Sequence, residues 1–116
     1  MNDYLNSITF GTLFKSFVKY FNIQNKDIVK YCNIDMERIP YLYLVEDLSK
    51  VRYEELEGLS KFISVFYYDE EDIFNNIRND DEACALSILK RISYLINQER
   101  VRRLTLIESV QRKRGN

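Results

Sequence analysis

Apolar residues recur three and four positions apart along almost the whole chain, and little interrupts them. Phe10, Leu13, Phe14, Phe17, Val18 and Phe21 stand at offsets 0, 3, 4, 7, 8 and 11, which is one stripe of an α-helix. Three Gly and one Pro in 116 residues are too few for the turns of an all-β protein, so the chain is expected to be all-α. With 46% apolar residues, 16 of all residues being aromatic (nine Tyr and seven Phe), it has material for a core.

The same spacing outlines the elements. The first helix covers the phenylalanine stripe, with Ser7 or Thr9 as its cap. A second, about Asn25 to Asn33, buries Ile28, Val29 and Cys32, and Asn33 suits the left-handed position that ends a helix. Pro40 is comfortable at the first helical position, so the third helix starts there; a start capped by Asp35 is the alternative. The fourth runs from about Val51 to Phe66 on Leu56, Leu59, Phe62, Ile63 and Phe66. A fifth opens at Asp69 to Asp72 and buries Ile73, Phe74 and Ile77. The stretch from Asn75 to Asp81 reads as a boundary, dividing 1–78 from a C-terminal extension, 79–116. Asp80 or Asp81 caps the last helix, which carries Ala85, Leu86, Ile88, Leu89, Ile92, Leu95 and Ile96. Its pattern weakens over 97–103 and resumes with Leu104, Ile107 and Val110, as one helix or two.

Composition narrows the chemistry. Lys and Arg number 17 against 18 Asp and Glu, a net charge of −1, which excludes coating of polyanions by bulk charge. There is no His, hence no imidazole base, Ser-His pair or His-bearing zinc site. Cys32 and Cys84 are too far apart for a thiolate zinc site and suit a reducing compartment. The acidic cluster Asp69 to Asp72 is ordinary at a helix start. We expect no metal, no cofactor and no enzymatic activity. No stretch reaches the ~20 apolar residues of a membrane span, and Met1-Asn2-Asp3 lacks a basic leader. A cytoplasmic protein without membrane contact is expected.

Five short helices in the first part, the second and third joined by a turn, describe a helix-turn-helix unit. Phe10…Leu13-Phe14…Phe17, Ile23-Gln24-Asn25-Lys26-Asp27-Ile28-Val29, Cys32-Asn33-Ile34, Leu42…Val45-Glu46 and Tyr53-Glu54-Glu55-Leu56…Leu59-Ser60…Ile63 resemble the Cro/CI-type (XRE-like) regulators. The resemblance implies a five-helix DNA-binding domain followed by the helical extension. It implies a sequence-specific transcriptional regulator, a repressor, acting on double-stranded DNA. Gln24, Asn25 and Lys26 would meet phosphate at the start of the second helix. Arg38, Tyr41 and Tyr43 would face the major groove, and Lys50 and Arg52 would grip the backbone beyond it. Such proteins read two-fold sites, so a homodimer is expected, joined by Leu86, Leu89, Ile92, Leu95 and Ile96. Docking of that stripe within the chain is the competitor.

The chain departs from the family's usual pattern at Val29, at Asn33 and around Pro40. These departures, the tyrosines of Tyr41-Leu42-Tyr43 and an acidic pI near 5.5 support a second reading. In it a repurposed helix-turn-helix binds another regulatory protein as an antirepressor or modulator. Residues 99–116 hold six basic and two acidic side chains, a local +4. This is either a phosphate-attracting tail or a solvated helix end.

Overall fold

The computed structural model describes residues 8–69 and 80–114, and every regular element among them is helical. The chain runs through α1 (Phe10–Tyr20), α2 (Asn25–Cys32), a 3₁₀ turn (Met36–Arg38) and α3 (Ile39–Leu44). A second 3₁₀ turn (Leu48–Lys50), α4 (Tyr53–Asp69) and α5 (Asp80–Arg114) follow. The short helix expected around Ile73, Phe74 and Ile77 lies outside the described residues.

Local chemistry accounts for the ends. Thr9 caps α1, its side chain accepting from the Thr12 N–H. Two more α1 amides, which have no partner inside the helix, donate to main-chain carbonyls after α3: Phe10 to Glu46 at 3.0 Å and Gly11 to Val45 at 2.8 Å. That approach needs a glycine, since a Cβ at Gly11 would lie 2.3 Å from the Tyr43 carbonyl oxygen. Asn33 ends α2 with φ of 56°. Pro40 lies within the first two positions of α3, where its missing N–H costs nothing.

Packing follows the stripes. Phe10, Leu13, Phe14 and Phe17 of α1 form one core with Ile28 and Cys32 of α2, Ile39 and Leu42 of α3, and Leu56, Leu59 and Ile63 of α4. The rings are in register: Phe10 stacks on Phe14 at 5.7 Å, and Phe17 meets Phe62 edge-on at 6.4 Å. A buried side chain of this size stabilises by about 1.5–3 kcal/mol relative to exposure. The buried pair on α3 is Ile39 and Leu42. Val45 packs on the same core from the extended segment beyond the helix. α2 and α4 meet at Gly58, where a Cβ would fall 1.9 Å from the Cys32 carbonyl oxygen.

α5 docks on the first core. It is one helix of 35 residues, and Ile88, Leu89, Ile92 and Ile96 belong to the same core as α1 and α4. The extension therefore completes the first core over about half its length. Arg103 marks where it leaves the body, its Nη2 donating to the carbonyls of Leu48 at 2.8 Å and Val51 at 2.5 Å. Beyond it Leu104, Leu106, Ile107 and Val110 are about half exposed. At 1.5 Å per residue the helix spans about 52 Å, close to the 57 Å long axis of the molecule.

Candidate nucleic-acid interface

The eight residues named for DNA contact fall into three environments. Gln24, Asn25 and Lys26 are exposed at the start of α2. The Asp27 carboxylate turns back to accept the Gln24 N–H at 3.0 Å, so this helix start already holds one anion of its own. Lys50 and Arg52 are exposed between the second 3₁₀ turn and α4. Asp47 caps that turn by accepting from the Ser49 N–H and hydroxyl, and those hydrogen bonds hold its carboxyl below the usual range.

The residues named for base reading are arranged otherwise. Arg38 is turned into the body. Its Nε and Nη2 donate to the two Glu55 oxygens, each at 2.8 Å, and the Glu55 side chain is 5% exposed. Glu55 Oε1 also accepts the Arg52 N–H at 3.0 Å, tying the pair to the first turn of α4. The Arg38 hydrogen bond holds the Glu55 carboxyl below its ordinary value, outweighing its desolvation. The guanidinium lies over the Tyr41 ring, 4.3 Å from its centroid. Arg38 is thus held by the fold, as the partner of a buried carboxylate. Tyr43 is half-buried, stacked on Phe14 at 5.5 Å, and burial pushes its hydroxyl pKa up. Of the three, Tyr41 alone is exposed.

The exposed side chains along the first 3₁₀ turn and α3 are Asp35, Met36, Glu37, Pro40, Tyr41 and Leu44, with Leu44 at 77% exposure. They offer no Arg, Lys, Asn or Gln side chain to a base edge. From Gln24 to Tyr53 the chain carries Lys26, Lys30, Arg38, Lys50 and Arg52 against Asp27, Asp35, Glu37, Glu46 and Asp47. Its positive charge is local, at Lys26 on one side and at Lys50 and Arg52 on the other.

Three of the eight basic residues of α5 are engaged in ion pairs. Arg100 pairs with Glu57 at 2.8 Å; Arg102 and Arg103 both pair with Glu99, at 2.6 and 2.7 Å. Glu99 is itself buried, and its carboxyl is held low, first by the Arg102 hydrogen bond. Arg100 thereby ties α5 to α4, and Arg103 ties it to the second 3₁₀ turn. The dimerisation stripe is spent in the same way. Leu86, Leu89, Ile92 and Ile96 are buried within the single chain, and Leu95 packs against the core. The competing reading, docking inside the chain, is the one the structure shows.

Sequence reasoning missed Glu55 and Glu99. Glu55 stands three residues after Arg52, the spacing of a side chain that reaches back to a cap N–H, and that signal was available. Glu99 stands three and four residues before Arg102 and Arg103, the spacing of ion pairs along one helix, so its pairing was legible too, though its burial was not. Comparison of the chain with protein-family models, curated proteins and solved structures gives no match.

Proposed function

We propose that the chain is a helix-turn-helix transcriptional regulator of the repressor type, divergent from the Cro/CI-like pattern, acting on double-stranded DNA. The observation that supports this is the exposed frame around α3: Gln24, Asn25 and Lys26 at the start of α2, and Lys50 and Arg52 before α4, the three cations having no ion pair among the described residues. Such groups position a duplex through its phosphates. Discrimination would fall to the edge between them. Glu37 accepts from a cytosine amino group, and Met36 and Tyr41 offer apolar contact to a thymine methyl. Bound at a promoter, the protein excludes polymerase.

Sequencing of DNA recovered on the purified protein at two salt concentrations tests this. Enrichment of a few sites supports it; weak, uniform recovery that vanishes with salt overturns it. On a recovered site, K26A and R52A should each weaken binding and reduce the salt slope by about one.

One observation favours the second reading, a modulator that binds another regulatory protein. The face that should read bases presents Met36, Tyr41 and Leu44, and Met and Tyr are enriched at protein interfaces. Loss of partner binding in Y41A and L44D, with DNA recovery absent in the parent protein, would establish it.

A further inference from the structure

α5 has a second stripe, facing away from the body. Lys90, Tyr94, Asn97, Val101, Leu104, Glu108 and Gln111 follow one another at spacings of 4, 3, 4, 3, 4 and 3, the rhythm of a two-helix seam. At 100° per residue Lys90, Tyr94, Val101 and Glu108 lie across the helix from Ile92, Ile96 and Arg103, the side held by the core, and Asn97, Leu104 and Gln111 follow on one flank, the drift that a 3.5-residue repeat takes up by supercoiling. All seven are exposed, with Tyr94 at 52%, Val101 at 62% and Leu104 at 53%.

The charges beside this stripe are already arranged. Arg100 is drawn aside to Glu57, and Arg102 and Arg103 to Glu99. The ionised residues on the stripe itself are Lys90 and Glu108, which have no ion pair among the described residues. They are of opposite sign and equally distant in sequence from Glu99. A two-fold axis crossing the helix there sets Lys90 against the second copy's Glu108. The same axis sets Tyr94 against Leu104 and Asn97 against Val101. Parallel pairing would oppose Lys90 to Lys90 and Glu108 to Glu108, which is repulsive.

We propose that α5 pairs antiparallel with α5 of a second copy through this outward stripe. The face is distinct from the Leu86–Ile96 stripe, and the pairing does not depend on whether the protein binds DNA. It leaves each body on the outside of the helix pair, its core intact. Three large apolar side chains per copy make a small interface, and Asn97 weakens it while fixing the register. The association is therefore reversible, in the micromolar range.

Sedimentation equilibrium of the full chain across micromolar concentrations, without DNA, tests the pairing. The parent protein should pass from monomer to dimer. K90E and E108K should each weaken the dimer about tenfold by placing like charges face to face. The double variant K90E/E108K should restore it, because the two charges merely exchange places. V101E should leave only monomer, and the thermal unfolding of every variant at low concentration should match the parent's, since the positions are exposed. A parent that stays monomeric, a dimer indifferent to V101E, or a charge exchange without rescue would each overturn the proposal.

Discussion

Replacing Glu55 by Gln tests whether Arg38 is a structural cation or a free one. The glutamate accepts three hydrogen bonds: Arg38 Nε on one oxygen, and Arg38 Nη2 and the Arg52 N–H on the other. Glutamine keeps the shape but turns one oxygen into a donor. If its oxygen keeps the two bonds to Nη2 and Arg52, its NH₂ faces the Arg38 N–H, donor against donor. The two surviving bonds lose their anionic acceptor, each weakening by about 1 kcal/mol. The 20% exposure of the Arg38 side chain lets water recover part of the loss. We therefore expect about 2 kcal/mol, short of the 3–5 kcal/mol for breaking a fully buried pair. With ~2.1 cal/mol/K of unfolding entropy per residue, 116 residues make roughly 240 cal/mol/K, and Tm should fall by about 8 °C. The folded-state carboxyl is held low, so its contribution is fully present above the ordinary glutamate value of about 4.3 and is lost as pH falls through the lowered one. The gap between parent and E55Q, followed by circular dichroism, should be full at pH 7 and shrink in acid. A Tm change under about 2 °C at pH 7 would refute the reasoning and return Arg38 to the surface, available to DNA.

Three further outcomes are expected. G58A gains about 1 kcal/mol of helix propensity but drives a Cβ into the Cys32 carbonyl, so urea titration should show net destabilisation. I92A removes a side chain with no exposure and should cost about 2–5 kcal/mol, with a Tm loss independent of protein concentration because the contact lies within one chain. Burial pushes the Cys32 thiol up to about 12 while Cys84 is exposed, so a thiol reagent near neutral pH should modify one cysteine rapidly in the folded protein and both in denaturant.

The helical class and most of the buried positions were legible in the sequence, because helical period is a local property. The phenylalanine ladder, Ile28 with Cys32, Leu56 with Leu59 and Ile63, and the α5 stripe each announce a buried face through residues three and four apart. Thr9 and Asn33 are local too, since capping and the left-handed conformation depend on a few neighbouring atoms. Periodicity says that a face must be covered, never by what. Only the folded chain decided that Leu89, Ile92 and Ile96 complete the core of α1 and α4 instead of joining two copies. The same limit applies to charge. Arg38 and Glu55 are 17 positions apart, Arg100 and Glu57 are 43 apart, and Arg103 reaches the carbonyl of Leu48 across 55. A cation's role depends on which anion or carbonyl the fold brings within 3 Å of it. The family resemblance offered Arg38 and Tyr43 as groove residues, and only tertiary packing could place one on a buried carboxylate and the other on the Phe14 ring.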